Sequence, residues 1–312
     1  MSEIRVAGLN ATSAADPATA AGGAARPVGT RPVVGGSRRG RTARIWVLSA
    51  LLWIVAILFA LPFLWMLSSS LKRNIDVFAI PARWIPDPVR WANYAEVWFG
   101  ESSLVRYFGN SLLVAVVSVA GELLTSSLAG YAFARLSFRG RDKVFLLYIA
   151  TSIVPVQLLL VPRFMFFRGL GLYDTLWALI LPGVFTVFGT FLMRQYFSSL
   201  PSELGEAARI DGANEWRIYW SVYLPLARPI LAALAILGFV SSWNSYETPL
   251  IMLSTDSHYT LPLGLTKFVD ADGGLSAGLA MAGATSSIVP MLVVFLIFQR
   301  QFLQALSHTG LK

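Results

Sequence analysis

Apolar residues run through this chain in six long blocks, at 45–66, 111–133, 144–161, 175–193, 230–253 and 279–298, with polar stretches between them. Each block is too long for a strand and carries few charges, so each reads as a membrane-spanning helix. The first alone allows about 33 Å of helix at 1.5 Å per residue. Ahead of the blocks, residues 1–44 are rich in Ala, Gly, Pro, Thr and Arg and lack apolar periodicity. That composition predicts a disordered tail before a spanning domain over 45–312. No short apolar core precedes a small-residue cleavage site, so no cleavable signal peptide is read.

The polar stretch at 198–229, between the fourth and fifth blocks, departs from a simple connecting loop. From Ser202 to Gly212 it holds helix formers ahead of a glycine suited to a left-handed end. Leu204, Ala207 and Ala208 fall on one face, small enough for another protein to approach closely, and Glu206 can pair with Arg209 three residues on. Trp216, Tyr219, Trp220 and Tyr223 follow at helical spacing, an aromatic stripe placed to lie at the membrane interface, and Pro225 and Pro229 mark the turn into the fifth span.

Basic residues orient the spans. Arg31, Arg38, Arg39, Arg41 and Arg44 precede span one; Arg135, Arg139, Arg141 and Lys143 follow span two; Arg194, Arg209, Arg217 and Arg228 follow span four. Placed together on the inner side, they make both termini and the helix around Glu206 cytoplasmic. The expected fold is therefore an all-α integral membrane protein with six transmembrane helices, both termini cytoplasmic, and a short cytoplasmic helix between spans four and five. The outer loop from Lys72 to Arg106 holds Pro81, Pro86, Pro88, Trp84, Trp91 and Trp98. Its prolines forbid a long helix, and it reads equally as a docking surface or as a packed cap.

A mean hydropathy of +0.61 with 55% hydrophobic and 13% charged residues excludes a soluble domain. The net charge of +8 is accounted for by membrane orientation rather than by nucleic acid. There are no cysteines, which rules out disulfides, thiolate catalysis and cysteine metal sites. No Gly-x4-Gly-Lys-Ser/Thr loop is present, so ATP is not bound by that means.

Glu206-Ala207-Ala208, Gly212, Val222 and Leu224-Pro225 together resemble the loop of ATP-driven, binding-protein-dependent importer permeases; Val222 stands where that family more often has Ile. Further stretches resemble its carbohydrate branch, the maltose-type inner-membrane permeases. They are Asn110-Ser111-Leu112, the run from Ser127 to Arg135, Trp243-Asn244, the run from Tyr259 to Leu265, and Gln299-Arg300-Gln301-Phe302. The resemblance covers nearly all of 45–312. It implies that Glu206, Ala207, Ala208, Arg209, Ile210, Asp211 and Gly212 form a coupling helix seated on a separate cytoplasmic ATPase dimer, with the 308–312 tail touching it as well. It also implies a second permease subunit, identical or related, an extracytoplasmic solute-binding protein, lipid as the surrounding partner, and the bacterial inner membrane as location. ATP and Mg2+ would sit on the ATPase, with no cofactor and no metal on this chain.

Polar residues inside the spans are candidates for a substrate path. Glu122 is mid-span, where a charge costs ~2.5–3.5 kcal/mol, so it faces a wet cavity or a partner between helices. Trp243, Asn244, Ser245 and Glu247 precede Pro249, a place to kink the helix; polar groups beside an indole suit a sugar, and helix–helix bonding explains them as well. Gln157, near Pro155, has the same two readings. Ser245, Tyr246 and Glu247 depart from the family pattern after Trp-Asn. A proton-coupled carrier using Glu122 and Glu247, or the same permease type carrying a non-sugar solute, are the rival readings. No catalytic residue is assigned: Gly274-x-Ser276-x-Gly278 fits a nucleophile elbow but lacks a sheet, and Asp270-Ala271-Asp272-Gly273 offers too few calcium ligands.

Overall fold

The computed structural model describes residues 38–100, 103–269 and 276–310. Residues 1–37 of the stretch read as a tail lie outside them. Helix α1 begins at Arg38, so that stretch gives way to helix earlier than Arg44. The chain divides into two units, Met1–Ala56 and Ile57–Lys312. What is described of the first is helix only.

Eleven helices of six or more residues carry the architecture among the described residues: α1 (Arg38–Ser70), α2 (Ala92–Phe99), α3 (Leu104–Arg135), α4 (Arg141–Ala150), α5 (Leu160–Gly169), α6 (Trp177–Val184), α7 (Val187–Ser199), α8 (Glu203–Ile210), α9 (Arg228–Trp243), α10 (Glu247–Met252) and α11 (Ala277–Gly310). Four stretches are long and apolar enough to cross a membrane: Ile45–Ser70, Leu104–Arg135, Trp177–Ser199 and Ala277–Arg300. Two bent pairs raise the number to six if each is one span.

Helix α3 is the axis on which the others pack. Its buried positions include Leu104, Tyr107, Ser111, Val114, Ser118, Glu122, Ser126 and Gly130, spaced by three and four residues as one face of a helix requires. Small residues on that face let α7 come close: a Cβ at Gly130 would stand 2.9 Å from the Arg194 backbone nitrogen. At one end of α3, Leu104 and Tyr107 join Phe239, Trp243, Leu261 and Ala282. At the other, Tyr131 joins Met193, Phe197, Tyr219 and Tyr223.

The third block is not a straight helix. The chain bends by 88° between Arg141–Ile153 and Val156–Gly169. Pro155 has no N–H to give, and Val154 before it is extended, the conformation proline imposes on its predecessor. The fourth block breaks at Phe185–Thr186, where Thr186 caps α7 by accepting from the Gly189 N–H at 3.1 Å. The fifth breaks at Asn244–Tyr246, ahead of the expected kink at Pro249. Pro249 instead lies in the first turn of α10, where a missing N–H costs nothing.

In the loop that follows α1, Asn93 donates to the Ser70 and Lys72 carbonyls, both at 2.8 Å, and so closes the end of α1. Lys72 is buried with its ammonium 3.9 Å from the centre of the Trp65 ring. Trp98 donates to Ser286 at 3.2 Å and Trp84 meets Trp65 edge-on, whereas Trp91 is 69% exposed. The packed-cap reading fits Trp98; Trp84, at 53% exposed, and Trp91 are largely open.

Candidate functional site

The polar stretch at 198–229 folds as helix α8, a reversal, and a second helical segment. Asp211 and Gly212 end α8, with Gly212 at φ +79° and its N–H on the Arg209 carbonyl at 3.0 Å. Glycine meets the left-handed turn without a Cβ clash. Ala213 donates to the Ala208 carbonyl at 2.9 Å, closing the last turn. Asn214 then caps the next helical segment by accepting from the Arg217 N–H at 2.9 Å.

One face of α8 is keyed into the protein and the other is bare. Gly205 is the buried residue of the helix, and a Cβ there would stand 2.9 Å from the Tyr223 hydroxyl. Glu206, Ala207, Arg209, Asp211 and Gly212 are exposed, and Ile210 is 86% exposed. Ile210, at the helix end, is left uncovered among the described residues. Ala208 is half-buried against the cluster around Tyr219 and Tyr223.

Arg209 does not pair with Glu206. It donates to Glu215 at 2.9 Å, because the turn at Gly212 brings residue 215 back alongside the helix. Glu215 also accepts from the Tyr131 hydroxyl at 2.7 Å. A polar line thus runs from α8 through Arg209 and Glu215 to α3. Tyr131 packs against Phe197, Tyr219 and Tyr223 with ring centres 6.0, 5.3 and 5.4 Å apart, and the Tyr219 hydroxyl bonds Ser127 at 2.7 Å. Arg135 bonds the Phe197 and Leu200 carbonyls and lies over the Tyr223 ring at 4.9 Å. The aromatic stripe therefore divides: Trp216 and Trp220 are exposed, as interface anchors must be, while Tyr219 and Tyr223 form the seat of α8.

The substrate-path candidates scatter. Glu122 is buried, and its carboxylate accepts from the Thr186 hydroxyl at 2.7 Å. It lines a cavity of about 530 Å3 together with Ser118, Thr186, Ser245 and Thr248. Trp243 faces elsewhere: its ring stacks on Phe239 at 5.5 Å and its N–H reaches the Ser287 carbonyl at 3.0 Å. Asn244 is exposed and bonds its own helix at Val240, 3.0 Å away. Glu247 and Gln157 are exposed. Of the six candidates the structure brings Glu122 and Ser245 to one cavity. Thr186 and Arg163, which share it, were not singled out by the sequence reading, although an arginine two residues past an apolar block is a legible signal.

Two stretches of family resemblance meet in space. Asn110 donates to the Ser257 and Tyr259 carbonyls, each at 2.9 Å, and Ser111 accepts from the Leu261 N–H at 2.7 Å. Asp174, at φ +58°, ties the same loop to the α5–α6 connection by accepting from the Ser254 and Thr255 N–H groups at 2.8 and 2.9 Å. Burial opposes its charge, but the Thr255 hydroxyl, those two N–H groups and His258 hold its carboxyl well below the usual carboxylate range. Residues 270–275 and 311–312, with the calcium-like motif, the first two residues of the elbow-like motif and the end of the tail, lie outside the described residues.

An exposed helix, α8, thus stands between the Trp177–Ser199 stretch and the bent pair that follows it. The family model for the binding-protein-dependent transport system inner membrane component matches residues 123–308, and the chain belongs to that family. It is a membrane transport subunit and not an enzyme. Its relatives include the arabinooligosaccharides transport system permease protein AraQ of Halalkalibacterium halodurans, 34% identical over 86% of this chain and 96% of that one. The sn-glycerol-3-phosphate transport system permease protein UgpE of Yersinia pestis is 34% identical over 81% and 92%. Among solved structures, a bacterial ABC transporter involved in the import of the acidic polysaccharide alginate aligns with TM-score 0.75 and 26% identity, covering 85% of this chain and 98% of that one.

Proposed function

We propose that this chain is one of two permease subunits that form the pore of an ATP-driven sugar or oligosaccharide importer in the bacterial inner membrane. In this reading it has six spans, counting each bent pair as one, and both termini are cytoplasmic. Its partners are a second permease, a cytoplasmic ATPase dimer carrying ATP and Mg2+, and an extracytoplasmic binding protein that delivers the solute. The relatives named for arabinooligosaccharides, diacetylchitobiose and lactose support the sugar assignment.

The observation that carries the coupling role is the asymmetry of α8: its inner face is keyed by Gly205 and Arg209, while Ala207 and Ile210 are left open. When the ATPases close on nucleotide they displace α8; the Arg209–Glu215–Tyr131 line and the aromatic seat pass that displacement to α3. The spans then present the path outward to the loaded binding protein, and hydrolysis resets them.

Ala207→Trp and Gly212→Asp test this. Ala207 is exposed among the described residues, and a Cβ at Gly212 would meet nothing within 4 Å, although any side chain there is strained by its φ of +79°, so Ala207→Trp is the cleaner variant. Both variants are expected to insert normally while uptake and binding-protein-stimulated ATP hydrolysis disappear. Normal uptake in both would refute the coupling role.

A further inference from the structure

Arg163 lies on α5, two residues past the third apolar block, half-buried, and lines the 530 Å3 cavity. It has no hydrogen-bond or ion-pair partner among the described residues. A half-buried guanidinium with none of its donors bonded is costly, so its position calls for a partner from outside the chain. Glu122 in the same cavity is differently placed: it is buried, with one oxygen on the Thr186 hydroxyl and Gly238 packed close against the other. The hydroxyls of Ser241, Ser245 and Thr248 line the cavity too, and none has a partner among the described residues. The volume lies within the range of small-molecule sites.

We propose that this cavity takes an anionic carbohydrate, with Arg163 as the specificity-determining residue that receives its carboxylate or phosphate. The planar guanidinium offers a fork of donors matched to either oxyanion, and unpaired hydroxyls beside it suit the sugar ring's own hydroxyls. The proposal rests on the importer reading above and narrows its substrate from sugars in general to sugars bearing negative charge.

The test uses the complete transporter, this chain with its partner permease, ATPases and binding protein, in proteoliposomes with ATP inside. Three labelled probes are compared: a neutral disaccharide, a uronate-containing disaccharide and a hexose phosphate. The binding protein's affinity for each is measured separately so that uptake is corrected for delivery. In the wild type, corrected uptake of the uronate or of the phosphate is expected to exceed that of the neutral probe at least tenfold, and whichever anion is taken identifies the source of the charge. Arg163→Gln is expected to remove that preference, cutting uptake of the anionic probe at least tenfold more than uptake of the neutral one; Arg163→Lys is expected to keep part of it. Equal loss of all probes in Arg163→Gln would make the residue structural and overturn the proposal. Preference for the neutral probe in the wild type would overturn it while leaving the importer reading intact. Absence of ATP-dependent uptake of any probe would remove the importer reading itself.

Discussion

Tyr131 is both a packing residue and a polar link, and the two roles separate by substitution. Tyr131→Phe keeps the ring among Phe197, Tyr219 and Tyr223 but deletes the bond to Glu215. The cost to stability is expected at about 1 kcal/mol, a fall in Tm of a few degrees. Arg209→Ala removes an exposed ion pair that contributes ~0.2–1 kcal/mol. If the line transmits force, each variant lowers stimulated ATP hydrolysis more than it lowers Tm, and the double variant falls no further than the worse single one. Additive losses in a double-mutant cycle would show two independent contacts. The sequence pointed to Arg209 but assigned it Glu206, because i,i+3 spacing is visible in a sequence and the chain reversal that delivers Glu215 is not. Gly205 was missed for a related reason: its role is set by Tyr223, eighteen positions on, and by nothing adjacent to it.

Among the elements, the helical blocks were legible because apolar runs of this length have one stable form in lipid. Their interruptions were less so. Pro155 announces the 88° bend, whereas the break at Asn244–Tyr246 carries no proline and was placed too late, at Pro249. What holds broken elements together lies far along the chain, as when Asp174 clamps the loop after α10. Its carboxyl is held below its unfolded pKa of about 3.9, so the clamp's contribution is fully present above that value and is lost as pH falls through the folded one. Hydrogen exchange at Ser254 and Thr255 is expected to stay protected from neutral pH to about pH 4. In Asp174→Asn, which keeps the shape but removes the charge, both amides should exchange faster at pH 7. Unchanged protection there would mean that the neighbouring Asn110 and Ser111 bonds hold the loop without it.

At the scale of the whole molecule, two packed clusters at the ends of α3 leave a largely apolar cavity with several polar side chains between them, and α8 packs against only one of the clusters. In the proposed reading α8 receives force and the cavity carries solute, while the sequence holds no phosphate loop for nucleotide. Transport against a gradient therefore belongs to the assembly. The most direct measurement is solute accumulation in vesicles containing this permease and its partner permease, with and without the ATPase pair, at saturating binding protein and internal ATP. Accumulation is expected only when the ATPase pair is present, and to vanish again with Ala207→Trp. Concentration of solute by the permeases alone, driven by a proton gradient and collapsed by an uncoupler, would contradict the account.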